Sequence, residues 1–368
     1  MEYVRSDADG NDILLAGTLG GQVHTFSVSR RKFPRCMKPD DLCPTDVHHG
    51  GAVTCIIYSD NSELSASRCG IVISGSVDRT VKIWSPIINR PQCIQTLYGH
   101  EGTVTRIADA HDGTLLSCSI DGCLRLWRPQ RGRSMMLHNF LECTFVMKQK
   151  DTWLSSLAVS HINSWMCYVG TMDGTIEIYR KGSEHNEAEH RTAVFTGQLT
   201  KYKRWEHVHA LGISLMHIVF EEGYLITLSF DHTCKILDQH LGTCLHVIQS
   251  SHGCRYTGLV WDARHFQVFL GDEQGHLEVW STFYERRVED LVMVQWKPPR
   301  RETATSTLGA ASSMSIAQLT ALPLIGALQG FKTPDCLVTL NPRTGVIKLW
   351  QVRELHGADG VCCLSFIV

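Results

Sequence analysis

Short apolar runs separated by polar, glycine-bearing turns set the rhythm of this 368-residue chain. The clearest example is Gly70–Trp84, GIVISGSVDRTVKIW: an apolar strand, a tight turn centred on Asp78, and a second strand ending in tryptophan. Thr114–Trp127, TLLSCSIDGCLRLW, repeats it almost position for position, 43 residues further on. A pattern that returns at a near-fixed interval predicts a repeat architecture in place of a string of unrelated domains. Alternating β-branched and aliphatic residues, with Gly, Asn and Asp between the runs, predict strands and hairpin turns. An Asp at the turn favours the bridge or left-handed backbone that a tight hairpin needs.

Turn residue and strand end, six positions apart, serve as two reference points. The chain then holds seven such pairs: Gly20/Phe26, Asp78/Trp84, Asp121/Trp127, Asp173/Tyr179, Asp231/Leu237, Gln274/Trp280 and Thr344/Trp350. Successive strand ends lie 58, 43, 52, 58, 43 and 70 residues apart, a basic unit with loop insertions. Each unit predicts four short strands. In the second they are Ala52–Tyr58, Gly70–Ser76, Thr80–Ser85 and Gln92–Leu97. The fourth takes Trp153–Ser160, Trp165–Thr171, Thr175–Arg180 and Thr192–Leu199, and the seventh begins with Met314–Thr320. The approximate units are residues 1–47, 48–97, 98–150, 151–203, 204–249, 250–297 and 298–368. His356–Phe366 reads either as the last strand of the seventh unit or as the first strand of a further one. In the second case it would pair with Ile13–Thr18 to latch a ring, or the native chain would continue.

Histidines mark the unit starts: His49 stands four residues before Val53, His100 four before Val104 and His252 four before Tyr256. With the Asp turns and Trp ends, these residues resemble the WD-repeat family of β-propellers. The resemblance runs over essentially the whole chain. It implies one all-β domain over residues 1–368, a seven-bladed WD-repeat β-propeller whose blades are four-stranded antiparallel sheets. Such short sheets cannot bury both faces alone, and stacking them does so. The resemblance also assigns His49, Ser74, Asp78 and Trp84, and likewise His100, Ser117, Asp121 and Trp127, to hydrogen-bond networks that tie one blade together. Each set contains a Ser/His/Asp trio. A nucleophile, however, requires exposure and an oxyanion hole, and no GxSxG elbow occurs. No catalytic residue, metal or cofactor is therefore expected, and the lack of a P-loop or GxGxxG leaves nucleotide chemistry without support.

Composition narrows the class further. A 43% apolar fraction suffices for a packed core, and a net charge of −2 argues against a whole-molecule field suited to nucleic acid. MEYVRSDADG lacks the apolar run of a signal peptide, and Pro323, Gln318 and Gln329 interrupt the weakly polar stretch Ser312–Gly330. The 15 cysteines fall mostly in apolar runs with no CxxC pair, as expected of small buried hydrophobes in a reducing compartment. The expectation is an intracellular protein, cytoplasmic or nuclear, with no membrane span.

Residues that break the repeat carry the functional expectation. Basic clusters at Arg30–Lys32, Lys201–Arg204 and Lys297–Arg301 are placed between units. Lys201, Tyr202, Lys203, Arg204 and Trp205, with Trp296, Lys297, Arg300 and Arg301, are the expected partner-binding residues, gathered on one face toward an acidic partner. The function expected is a non-catalytic interaction platform, a scaffold subunit of a larger complex. Two alternatives remain: the substrate-receptor propeller of a ubiquitin ligase, and a module binding nucleic acid or anionic lipid. The first rests on Trp261-Asp262-Ala263-Arg264, a literal WDxR placed at the end of a first strand and not after the repeat Trp280. Phosphoinositide-binding propellers carry FRRG, which Arg286-Arg287 does not match. SEHNEAEHR at Ser183–Arg191 reads as a solvated insertion, since His185 and His190 do not share a helical face. Insertions at residues 181–191, 297–312 and 321–335 are where specificity is expected.

Overall fold

The computed structural model describes residues 2–4, 13–27, 35–36, 48–60, 70–85, 92–110, 112–130, 141–149, 152–160, 166–181, 199–219, 222–262, 266–274, 276–281, 291–294, 319–323, 335–341, 346–351 and 361–367. Within them the chain is all-β and forms no helix. The strands fall into seven sheets, each of four strands consecutive in sequence. The first sheet holds β1 (Glu2–Val4), β2 (Ile13–Gly17), β3 (Val23–Ser27) and β4 (Arg35–Cys36). The second holds β5 (Val53–Ser59), β6 (Ile71–Ser76), β7 (Val81–Ser85) and β8 (Gln92–Leu97). The third holds β9 (Val104–Asp109), β10 (Leu115–Ser119), β11 (Cys123–Pro129) and β12 (Leu141–Lys148). The fourth holds β13 (Leu154–Ser160), β14 (Met166–Thr171), β15 (Ile176–Lys181) and β16 (Leu199–Trp205). The fifth holds β17 (Ile213–Val219), β18 (Tyr224–Ser229), β19 (Thr233–Asp238) and β20 (Cys244–Gln249). The sixth holds β21 (Tyr256–Asp262), β22 (Gln267–Asp272), β23 (Leu277–Ser281) and β24 (Val292–Val294). The seventh holds β25 (Leu319–Pro323), β26 (Asp335–Asn341), β27 (Val346–Gln351) and β28 (Val361–Ile367).

Three sequence expectations need adjusting. The fourth strand of unit four is β16, with Leu199 and Trp205 as its buried ends and the basic run between them; residues 192–198 of the expected Thr192–Leu199 lie outside the described residues. The first strand of unit seven lies later than Met314–Thr320, in register with β26 from Leu319↔Thr339 to Pro323↔Asp335. The open choice at His356–Phe366 resolves as the fourth strand of the seventh sheet, where β28 pairs antiparallel with β27.

The chain forms two compact units, Met1–Phe220 and Glu221–Val368. In the first unit successive sheets share apolar layers. Leu15, Val23, Ile56, Val72 and Trp84 form one, and Ile71, Ile73, Ile83, Val104, Ile107, Leu115 and Trp127 contribute to the next. A third joins Leu116, Leu124, Leu126, Leu154, Val159, Val169 and Tyr179. The second strand of a sheet is therefore buried along its length, as in β6 and β10, while the fourth strand is largely exposed, as in β12 and β16. Each fully buried Ile, Leu or Val contributes about 1.5–3 kcal/mol relative to exposure.

Two polar devices recur between neighbouring sheets. The register of the first strand slips by one residue at Thr54, Thr105 and Ser155. A β-bulge re-aims the extra residue's side chain. Here each hydroxyl sits between a carbonyl of its own sheet and the first carbonyl of the next sheet's first strand. Thr54 reaches Gly75 and Val104, Thr105 reaches Cys118 at 3.1 Å and Leu154 at 2.8 Å, and Ser155 reaches Gly170 at 3.1 Å and Ile213 at 2.6 Å. The second device is the hairpin turn, whose last residue is left-handed and offers its carbonyl onward. The N–H of His49 donates to Gly21, that of Gln149 to Gly122 and that of His209 to Gly174. The second unit uses the same device, with Ser250 donating to His232 at 3.1 Å, and Thr257 is its bulged residue.

Both devices are testable by urea unfolding. Thr105→Val keeps the shape but leaves two carbonyls without their donor, and is expected to cost about 1 kcal/mol. Gly174→Ala is expected to cost more, since φ is +78° and a Cβ would lie 2.2 Å from the His209 carbonyl oxygen.

Candidate functional site

The Ser/His/Asp trios lie inside their sheets. In the second sheet Asp78, at the β6–β7 turn, is 2.9 Å from His49 Nδ1, and His49 Nε2 is 2.8 Å from Ser74 Oγ on β6. Trp84 Nε1–H on β7 donates to the same Oγ at 2.8 Å. The third sheet repeats this with His100–Asp121 at 3.0 Å, His100–Ser117 at 2.7 Å and Trp127–Ser117 at 2.9 Å. With Asp accepting from Nδ1–H, the other imidazole nitrogen accepts the serine hydroxyl, which in turn accepts the indole N–H. Every polar atom of the chain is used, as buried groups require. Ser74 and Ser117 are each 0% exposed, so neither hydroxyl reaches a substrate.

Burial alone would raise the carboxyls of Asp78 and Asp121, but hydrogen bonds outweigh it. Thr80, His49 and the Gly50 N–H hold Asp78 below the usual carboxylate range, and His100 with the N–H groups of Glu101 and Cys123 hold Asp121 well below it. Burial also pushes His49 down, against the pull of Asp78, so the folded imidazole stays neutral to lower pH than a free one.

Units four and six replace this arrangement with a buried glutamate. Glu177 on β15 accepts from Tyr179 Oη–H and Gln149 Nε2–H, and Lys201 Nζ reaches it at 2.6 Å. Glu278 on β23 accepts from Tyr256 at 2.6 Å, from Ser251 Oγ–H at 2.7 Å and from Trp280 Nε1–H at 3.3 Å. Gln149 and Ser250 hold the backbone position that His49 and His209 hold elsewhere. The histidine that aligns by spacing in unit six, His252, therefore stands outside that position.

The basic run proposed from sequence is placed on β16 and not in a connection between units. Lys201, Tyr202, Lys203 and Arg204 are exposed along the fourth strand, and Trp205 is buried. Lys201 is held by buried Glu177, a charge that burial makes dependent on its partner. Arg204 Nε lies 3.3 Å from Glu206 and 3.9 Å from Glu177, and Lys203 Nζ lies 5.9 Å from the Trp205 ring centroid. Trp296, Lys297, Arg300, Arg301, the Arg30–Lys32 cluster and the Ser183–Arg191 insertion lie outside the described residues. Trp261 is the penultimate residue of β21 and packs edge-on against Phe266 with ring centroids 4.8 Å apart, while Arg264 lies outside the described residues.

Sequence reasoning passed over an apolar set at the turns. Trp153, Met172 and Leu211 are 56%, 38% and 52% exposed. They are brought together by the Met172 N–H donating to the Trp153 carbonyl at 3.0 Å and by the close approach of Gly212 to Met172. The signal was available for two of them, since Trp153 and Leu211 stand where other units carry small or polar residues, such as Ala52, Thr103, Gly51 and Gly102, whereas the Met172 position is apolar in other units too, as Val77, Ile120 and Phe230. No helix of the described residues is long and apolar enough to cross a membrane.

A family model described as WD domain, G-beta repeat, matches residues 42–85 and 91–128, the second and third sheets. Nuclear distribution protein PAC1 of Arthroderma otae is 26% identical over 247 residues, 62% of this chain and 48% of that protein. The ribosome biogenesis protein WDR12 homolog of Drosophila yakuba is 25% identical over 197 residues, 51% of this chain and 43% of that protein. A p21-activated protein kinase-interacting protein 1-like of Xenopus laevis is 26% identical over 133 residues, 35% of this chain and 34% of that protein. The chain thus spans about half, or less, of the length of these relatives.

Ser74→Ala is expected to leave His49 Nε2 and Trp84 Nε1 without partners, at about 1–3 kcal/mol for each orphaned group. The pH dependence follows from the shifts. The unfolded His49 binds its proton near pH 6.5 while the folded one does not, so stability falls as pH drops below that value. The Asp78 and Asp121 contributions are present above about pH 4 and are lost as pH falls through their lowered folded values. Urea midpoints measured from pH 8 to 4 are expected to decline below about pH 6.5, and His49→Gln to flatten the upper part of that decline.

Proposed function

We propose that this chain is a WD-repeat protein and, on that premise, a non-catalytic interaction platform, a scaffold subunit of a larger intracellular complex. The domain we propose is a single seven-bladed propeller over residues 1–368, working in the cytoplasm or nucleus. The observation that carries this reading is the exposed Trp153–Met172–Leu211 set. Exposed apolar groups clustered on rigid turns mark interaction sites, and a large aromatic among them is a typical anchor. The turns are preorganised by the bulged hydroxyls and the turn carbonyls beneath them, so little ordering entropy is lost on capture.

The partner we propose is a protein segment with an apolar side chain flanked by acidic residues. Tyr202, Lys203 and Arg204 on the exposed strand support the acidic preference. Trp296, Lys297, Arg300 and Arg301 belong to the same proposal through their sequence alone. Lys201 is the weakest of the set, because Glu177 already holds its charge. Names of relatives support the class of role: nuclear distribution, ribosome biogenesis and interaction with a kinase are tasks of assemblies. A ubiquitin-ligase adaptor contact through Trp261 has less support, since that ring is packed on Phe266.

The test is comparative affinity purification with mass spectrometry from the native cell. Trp153→Asp with Leu211→Asp is expected to lose a defined set of subunits at least tenfold while the thermal unfolding curve stays put. Lys203→Glu with Arg204→Glu, Arg300→Glu and Arg301→Glu is expected to lose the acidic members of that set. Identical recovery in both variants would refute the reading. Capture of nucleic acid or anionic vesicles that falls steeply with salt, without protein partners, would replace it.

A further inference from the structure

The sixth unit carries a side-chain cluster that neither the repeat nor the interaction reading uses. Ser250, not His252, occupies the structural position at the start of this unit. His252 is left half-exposed, and its ring stacks on that of His276 with centroids 3.9 Å apart and planes within 11°. Two buried carboxylates stand behind this pair. Asp272 Oδ2 lies 2.7 Å from His276 Nδ1, and Glu278 Oε1 lies 3.5 Å from His252 Nδ1. Neither carboxylate is free to swing away. Asp272 Oδ1 accepts the N–H groups of Gln274 at 2.9 Å and His276 at 2.8 Å. Ser251, Tyr256 and Trp280 hold Glu278 through hydrogen bonds to its two carboxylate oxygens.

We propose that His252, Asp272 and His276 form a binding site for one divalent first-row transition cation of the Zn²⁺ type. One donor atom from each of the three residues lies within 4.8 Å of the others. Metal–nitrogen and metal–oxygen bonds of about 2.0–2.2 Å need donors no more than about 4.4 Å apart, so a small side-chain movement closes the set around a single ion. Two imidazoles and one carboxylate are the donor set that suits these cations better than Mg²⁺ or Ca²⁺. The ion takes the place of the proton between Asp272 Oδ2 and His276 Nδ1, and the neutral imidazole keeps its one proton on Nε2. His252, exposed on one side, tilts out of the stack to bring in the second imidazole nitrogen, and water fills the remaining positions. Glu278 stays outside the ligand set and supplies buried negative charge next to it, in the manner of carboxylates that back metal-bound histidines.

The consequence is structural. The ion clamps the loop between β20 and β21 onto the β22–β23 turn, which is where the missing Ser/His/Trp network of this unit would otherwise hold the sheet. Sequence reasoning expected no metal, because the three ligands are drawn from positions 252, 272 and 276 and only the last two share a local spacing.

The experiment uses the full chain stripped with chelator, then titrated with Zn²⁺ against a chromophoric competitor, with thermal unfolding recorded with and without the ion. One ion per chain is expected, with a rise in Tm. His252→Ala is expected to weaken that ion at least tenfold and to abolish the Tm rise. This side chain is half-exposed, so the metal-free Tm should match wild type. His276→Gln tests the second ligand. A site that binds with unchanged stoichiometry and affinity in His252→Ala and His276→Gln overturns the proposal, as does the absence of any ion bound at micromolar concentration. Neither result bears on partner capture, which is read separately.

Discussion

A bulged hydroxyl carries the architecture from one sheet to the next. A four-stranded sheet of strands no longer than eight residues has little area with which to fix its neighbour's position, and apolar contact alone is non-directional. Thr54, Thr105 and Ser155 add direction. Each is the extra residue of a β-bulge, so its side chain turns out of the alternating pattern and points across to the neighbouring first strand. The turn carbonyls of Gly122 and Gly174 add a second directional bond at the junctions that Thr105 and Ser155 bridge, and that of Gly21 links the first sheet to the second. At the junction of sheets three and four, where both bonds are made, they flank the apolar layer that includes Leu116, Leu154 and Tyr179.

The buried networks show how one fold solves one problem with two chemistries. In sheets two and three a serine hydroxyl mediates between imidazole and indole. In sheets four and six a carboxylate takes the centre, gathering Tyr179, Gln149 and Lys201 in one case and Tyr256, Ser251 and Trp280 in the other. A buried carboxylate is costlier to desolvate than a hydroxyl and recruits cations. The units that lost the Ser/His pattern are accordingly those whose flanking residues carry unpatterned charge: the basic strand beside Glu177, and the histidine pair beside Glu278. Departure from the repeat is thus coupled to new chemistry at the surface by a need for charge compensation inside.

Much of the fold was legible in the chain because it rests on short-range patterning. Asp78, Asp121, Asp173 and Asp231 close their own turns through bonds to residues two positions on, so their spacing is local and visible. The shift of register before the repeat aromatic recurs at Trp84, Trp127, Tyr179, Leu237 and Trp350. Leu237 keeps the backbone geometry although its indole is gone, which is why the unit was countable without its tryptophan.

What the amino-acid sequence determined by itself was the periodic part: an all-β chain of WD-type units, their turns, and the residues that would meet within a unit. What only the tertiary structure decided was which side chains are already spent. Lys201 reads as a free cation until Glu177, 24 positions away, is seen to hold it. His252 reads as a repeat histidine until Ser250 is found in that place and the ring is seen stacked on His276. Trp153 reads as the first residue of a strand until its turn is found beside those of Met172 and Leu211, exposed to solvent. Pairing and exposure depend on contacts between residues tens of positions apart, and no local pattern of apolar and polar positions encodes them.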